Sequence, residues 1–347
     1  MRTLSPSHPR NPFPTPDRRH LAAVAAPTAV PQPPRIAVSG GTDFDPKGVG
    51  WGVWRTCRAR QWLKNVLVFA APAAAGVLTQ PVRLAHAVLA AVILCAASSA
   101  GYFLNDARDA AADSLHPSKR HRPIAAGVIR LPAAWATAAV LAVGAVTVAT
   151  AWLGPHTAFA VAAYLVLTAA YSLHLKQIPV LELLTVAVGF ALRTVIGALA
   201  THVPVSPWFL IVTASGALFM IAGKRSAELQ ELHDEAARAH RPVLAAYTLP
   251  YLAHLRTLAA TSALIAYCLW ALTLHAAGTA NALAGARHGG TVLLQLSILP
   301  VLAGLLRYSL HLHHGHGARP EDLVLSDRFL QGCAATWLLL FTAGIYV

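Results

Sequence analysis

The sequence predicts an all-α, polytopic membrane protein of nine transmembrane helices, and three observations predict it. The composition is 56% hydrophobic and only 12% charged, where soluble domains carry roughly a quarter charged residues. Apolar runs recur nine times at a length able to cross a hydrocarbon core of about 30 Å, which takes about 20 residues of helix. The charged residues lie between these runs and sort strongly by side.

The runs fall at approximately residues 62–80, 84–104, 131–153, 156–173, 178–200, 206–223, 250–275, 290–313 and 328–347, the first being the least clean. Residues 1–50 are a different material. Ten of the 23 prolines fall there among Ser, Thr, Gly and Arg, so this stretch reads as a disordered Pro-rich cytoplasmic tail. Its apolar stretch 21–30 is short, is broken by Pro27 and is followed by no cleavage site, which argues against a signal peptide. Residues 51–347 then form a single nine-helix transmembrane domain.

The net charge of +13 invites a nucleic-acid partner, but cations placed between apolar runs report membrane topology instead. No nucleic acid is expected; the bilayer is. Loops two, four, six and eight carry twelve cations, while the opposite set carries only Arg83 and Arg287. This asymmetry puts the amino terminus inside and the carboxyl terminus outside. The acids follow the same side: three of the 14 are in the tail, ten are in those loops, and Glu182 lies about one turn into the fifth helix. Topology does not demand that, whereas a polar active site on the cytoplasmic face would. Cys57, Cys95, Cys268 and Cys333 form no CxxC pair and read as small apolar residues.

The second loop opens with Asn105-Asp106-Ala107-Arg108-Asp109-Ala110-Ala111-Ala112-Asp113. If the second helix continues past Leu104, Asp106, Asp109 and Asp113 share one face at i, i+3 and i+7, bordered by Asn105. Three converging carboxylates repel each other unless a cation neutralises them. Oxygen donors without His or Cys suit Mg²⁺, which typically bridges to phosphate oxygens. The plainer alternative is a solvated acidic helix end partly balanced by Arg108. The loop continues His116-Pro117-Ser118-Lys119-Arg120-His121-Arg122-Pro123, and cations after a metal cluster form an anion clamp. Arg outnumbers Lys more than four to one, yet Lys64, Lys119, Lys176 and Lys224 all fall at the cytoplasmic edge.

The run NDARDAAAD resembles the NDxxDxxxD signature of the UbiA superfamily of intramembrane prenyltransferases, as Tyr171-Ser172 resembles that superfamily's pair near the end of the fourth helix. The resemblance spans about 55–347 and implies a UbiA-like bundle of nine helices. One departure stands out: where the superfamily repeats a DxxxD motif, this chain has Gly223-Lys224-Arg225-Ser226-Ala227-Glu228-Leu229. Further segments resemble one branch, decaprenyl-phosphate phosphoribosyltransferase: Arg58, Gln61, Trp62, Lys64 and Asn65, then residues 116–127, 178–184, 206–209, 223–229 and 320–331. That branch implies transfer of 5-phosphoribose from phosphoribosyl diphosphate to a polyprenyl phosphate, toward arabinose-containing envelope polymers.

Under this resemblance Asn105, Asp106, Asp109 and Asp113 bind Mg²⁺, the three aspartates being the catalytic set. Lys119, Arg120, Arg122, Lys224 and Arg225 take the donor phosphates, with Tyr171 and Lys176 close by. Gln61, Lys64 and Asn65 meet donor or acceptor, and Glu228 binds a sugar hydroxyl or orients a cation. The expected partners are phosphoribosyl diphosphate, a polyprenyl phosphate lipid and the plasma membrane; a homo-oligomer is left open. A prenyltransferase acting on an aromatic or other small acceptor is the nearest alternative, and a transporter is the alternative of another class. Arg193, deep in the fifth helix, must face the bundle interior, in a structural pairing or an acceptor-side role. Its separation from Glu182, roughly 16 Å along the helix, argues against a pair. The histidines from His311 to His316 look metal-like but sit at a wet helix end. Glu321 and Asp327-Arg328 match the branch without a role.

Overall fold

Five prolines, at positions 81, 132, 155, 207 and 250, stand in the first turns of long helices, where a missing N–H costs nothing and the fixed φ suits helix initiation. The computed structural model describes residues 46–231, 242–278, 288–314, 323 and 326–346. Most of the tail, His316 and Glu321 therefore lie outside the described residues.

Helix α1 (Pro46–Cys57) starts inside the stretch assigned to the tail. A 3₁₀ helix, Ala59–Phe69, runs directly into α2 (Ala70–Ala74). Then follow α3 (Pro81–Leu115), α4 (Leu131–Leu153), α5 (Pro155–Leu173), α6 (Leu181–Ala200), α7 (Pro207–Glu231), α8 (Leu249–Gly278), α9 (His288–Leu296), α10 (Ile298–His313) and α11 (Arg328–Tyr346). Among the described residues no strand occurs. Gly154, at φ 86°, makes the turn between α4 and α5 in a conformation that favours glycine. Helices α9 and α10 form one span, Gly290–His313, interrupted at Ser297, whose hydroxyl donates to the Leu294 carbonyl and meets the Tyr267 hydroxyl, both at 2.6 Å.

Eight helical segments among the described residues are long and apolar enough to cross a bilayer, and they follow the expected order. The first crossing differs in kind. Eleven residues at about 2.0 Å and five at about 1.5 Å reach about 30 Å, so the 3₁₀–α2 pair spans with fewer residues than an α-helix needs. A 3₁₀ run this long is uncommon, and side chains on α3 and α6 hold it. Trp62 Nε1 donates to Ser99 Oγ at 3.2 Å, and Asn65 Nδ2 donates to Cys95 Sγ at 3.3 Å. At Gly197 of α6 any Cβ would collide with the Val68 carbonyl, so only glycine allows this approach.

Helices α3 and α6 are the inner pair, each with 56% of its apolar window buried, against 11% for α11. They carry the polar side chains that the membrane cannot solvate. Arg193 of α6 donates to Asn65 Oδ1 at 3.1 Å, the Gly189 carbonyl at 2.7 Å and the Tyr164 hydroxyl at 2.8 Å, and lies over the Tyr164 and Phe190 rings. It ties the first crossing to α5 and α6. The structural pairing accounts for it, and Glu182 is not among these partners.

Candidate active site

The site gathers at the end of α3, the loop after it, the α5–α6 connection and the end of α7. Helix α3 does continue past Leu104, to Leu115, so Asp106, Asp109 and Asp113 rise from one face of a continuous helix. The following loop folds back over that face because Ile124 and Ile129 are buried against Phe103, Ala107 and Ala134. This anchoring returns Arg122 to the carboxylates that precede it.

Each aspartate meets a cation. Asp106 Oδ1 accepts from Arg58 Nη2 at 2.6 Å and from Arg122 Nη1 at 3.1 Å. The same Arg122 Nη1 donates to Asp113 Oδ2 at 2.6 Å. Lys176, on the single 3₁₀ turn Leu175–Gln177, donates to Asp109 Oδ1 and Oδ2 at 2.9 and 2.6 Å and to Asn105 Oδ1 at 3.3 Å. Two positions of positive charge are thus defined, one between Asn105 and Asp109 and one between Asp106 and Asp113.

Among the described residues no three His, Cys, Asp or Glu side chains are grouped to hold a metal by themselves. The spacing i, i+3 and i+7 spreads Asp106, Asp109 and Asp113 along the helix, with Asn105 beside the first of them. The donor set still fits Mg²⁺, which is held by one or two carboxylates together with waters and substrate phosphates. Asn105 with Asp109 offers such a half-site, already occupied by a cationic nitrogen. Asp109 is also the most accessible, its side chain 28% exposed against 3% for Asp106.

The α7 segment departs from expectation. Arg225 is buried at 2% and donates through Nε and Nη2 to Glu182 Oε1 and Oε2, both at 2.8 Å, and through Nη1 to Glu228 Oε2 at 2.6 Å. Arg225, expected to meet a donor phosphate, is paired here with two carboxylates. Of the two roles expected for Glu228, the one seen here is orienting a cation. A guanidinium removed from water needs a paired counter-charge, and Glu182, itself fully buried, supplies it. Tyr171 lies within electrostatic range of Arg225. Lys224, half-buried and immediately before Arg225, makes no ion pair among the described residues, and neither does Lys119. The Arg120 Nε contacts His121 at 3.4 Å, and its side chain is exposed.

At the first crossing, Gln61 is half-buried and Lys64 exposed, while Asn65 is buried at 2% and engaged with Arg193 and Cys95. Asn65, expected to meet donor or acceptor, here supports Arg193. Arg58, missed as a site residue, adopts the left-handed conformation at φ 52° and lies over the Tyr102 ring at 4.9 Å. Val180, at φ 67°, precedes Glu182 and donates its N–H to the Tyr247 hydroxyl at 2.7 Å. A β-branched residue at positive φ is strained, and such strain gathers at functional sites. The His311 cluster resolves otherwise: His311 and Arg307 bind Asp327, which caps α11 through the Phe329 and Leu330 N–H groups. The His311 hydrogen bond holds the Asp327 carboxyl well below its ordinary pKa.

Residues 66–331 match the model of the UbiA prenyltransferase family. A decaprenyl-phosphate phosphoribosyltransferase of Mycolicibacterium smegmatis is 37% identical over 95% of this chain and 99% of that protein. One from Mycobacterium tuberculosis is 40% identical over 85% of this chain and 94% of its own. Among solved structures, a UbiA homologue from Archaeoglobus fulgidus bound to DMAPP and Mg²⁺ superposes with a TM-score of 0.63, at 15% identity, over 85% of this chain and 99% of that one. An apo UbiA homologue from Aeropyrum pernix gives 0.56 at 20% identity, covering 83% and 98%. The signature on α3, the family match and the shared bundle agree, and the chain belongs to the UbiA prenyltransferase family.

Proposed function

We propose that the chain transfers 5-phosphoribose from 5-phosphoribosyl 1-diphosphate to a polyprenyl phosphate, decaprenyl phosphate being the acceptor named for its relatives, at the cytoplasmic face of the plasma membrane. The observation that carries this reading is the α7 segment, where Lys224 and a locked Arg225–Glu182 pair stand in place of two free carboxylates. The activity named for the two mycobacterial relatives supports the same transferred group and acceptor.

The chemistry suits these residues. The anomeric carbon loses its bond to diphosphate and gains one to an acceptor phosphate oxygen. That acceptor is already anionic at neutral pH, its second pKa being about 6, so no general base is required. Bound Mg²⁺, held by Asn105 and Asp109, would stabilise charge on the departing oxygens. Lys119, Arg120 and Lys224 then hold the donor's phosphates, and Arg58 and Arg122 keep Asp106 and Asp113 neutralised.

Membranes containing the chain, given radiolabelled phosphoribosyl diphosphate and a polyprenyl phosphate, are expected to form a labelled phosphoribosyl lipid. Prenyl transfer from a prenyl diphosphate to an aromatic acceptor, with the ribose donor unused, would overturn the reading. Lys224→Ala is expected to raise the KM for phosphoribosyl diphosphate. A charge-assisted hydrogen bond is worth about 1.5–3 kcal/mol, so the rise should be roughly 10- to 150-fold, with the KM for the lipid acceptor little changed.

Sidedness follows from the twelve-to-two distribution of loop cations. In a background without native cysteines, Ser118→Cys and Gly289→Cys should react with an impermeant thiol reagent from opposite faces, Ser118→Cys only from inside. Reaction of both from outside would contradict the orientation.

A further inference from the structure

We propose that Lys176 is an exchangeable counter-ion: magnesium diphosphate displaces its ammonium from Asn105 and Asp109, and the freed ammonium is re-used to bind the arriving diphosphate. The inference rests on the metal–diphosphate part of the function proposed above, and not on the identity of the sugar or the lipid.

The α3 face carries three carboxylates, Asp106, Asp109 and Asp113, and three cations answer them, Arg58, Arg122 and Lys176. The ensemble is neutral. A bare divalent ion would add two positive charges to a neutral site, which raises its cost. A divalent ion arriving with a diphosphate adds little net charge. The site is therefore built to take the two together.

The three carboxylates differ in access, although their cations are similarly exposed, at 31% for Arg58, 27% for Arg122 and 20% for Lys176. Asp106 and Asp113 are only 3% and 6% exposed. Asp109 is 28% exposed, so water, metal and phosphate reach the carboxylate that Lys176 holds. Lysine also carries a point charge on a flexible four-carbon stem, whereas arginine is held by its planar fork. Lys176 Nζ lies 2.6 Å from Asp109 Oδ2 and 3.3 Å from Asn105 Oδ1, between the two groups that would hold the metal. The ammonium and the metal cannot occupy that place together. A released Lys176 remains within its own stem's reach of any phosphate bound to the ion that replaced it.

The test measures binding of Mn²⁺ and inorganic diphosphate to the full chain in nanodiscs, by electron paramagnetic resonance and calorimetry, without sugar or lipid acceptor. The wild type should bind Mn²⁺ weakly alone and at least about 10-fold more tightly with diphosphate. Lys176→Met should move the two affinities in opposite directions, each by about 10-fold or more, the usual reach of one charged contact. Mn²⁺ alone binds tighter because its competitor is gone, and the Mn²⁺–diphosphate pair binds more weakly. Asp109→Asn, which releases Lys176 without removing it, should strengthen binding of metal-free diphosphate. Lys176→Met weakening both, or leaving Mn²⁺ affinity unchanged, would overturn the exchange while the metal–diphosphate site stands. Absence of Mn²⁺ binding to the wild type even with diphosphate would overturn both.

Discussion

Asp109→Asn is expected to lower the rate of transfer by at least about 100-fold while the protein still inserts in the membrane. Asparagine keeps the side-chain shape and removes the charge from the most accessible carboxylate of the α3 face. A metal ion at a leaving group supplies several kcal/mol of transition-state stabilisation, and each 1.36 kcal/mol is a factor of ten in rate. Losing the charged ligand forfeits much of that. Because Asp109 is partly exposed and pairs with a flexible lysine, its replacement leaves no buried charge behind, so the fold tolerates it. Excess chelator should silence the wild type in parallel, with recovery on adding Mg²⁺. Full activity in chelator would show that the aspartates are only a solvated helix face.

Glu182→Ala should act on the fold instead. It leaves the Arg225 guanidinium, 2% exposed, without its bidentate partner, and Glu228 answers only one of its nitrogens. Removing one member of a buried pair costs about 3–5 kcal/mol, enough to lower the unfolding temperature in detergent by many degrees and to reduce the amount of folded protein. Replacing both residues by methionine should recover most of this loss, since an apolar pair of similar volume is often neutral or stabilising. If Arg225→Met alone left stability untouched and abolished only donor binding, Arg225 would be a phosphate ligand after all.

The two variants mark what was legible in the sequence. Hydropathy located the spans, and a period of three to four placed Asp106, Asp109 and Asp113 on one helical face once α3 ran on to Leu115. Both are local properties, recorded in consecutive residues. The partners of those aspartates were not. Arg58 lies 48 residues from Asp106, and Arg225 lies 43 from Glu182, so only the packing of α1, α3, α6 and α7 brings them together. A signal did exist for Glu182: a lone carboxylate one turn into a membrane helix demands a cation. Arg225, at the same membrane edge, was available to answer it. The first crossing was obscured for another reason. Its segment carries Arg60, Gln61, Lys64 and Asn65, which break the apolar run that hydropathy looks for.

A helix with three residues per turn behaves as a triangular prism rather than a screw. Trp62, Asn65 and Val68 lie along one edge, against α3 and α6. Leu63 and Val66, 68% and 56% exposed, lie along a second, and Gln61 and Lys64 along the third. Deleting or adding one triplet would slide this prism by about 6 Å and leave every edge facing as before. A single inserted residue would turn everything beyond it by about 120°, carrying the asparagine that holds Arg193 round to the lipid. Length changes by threes therefore keep the facing of every edge and shift only its height against Arg193 and Gly197, a reading frame imposed by helix geometry rather than by the genetic code.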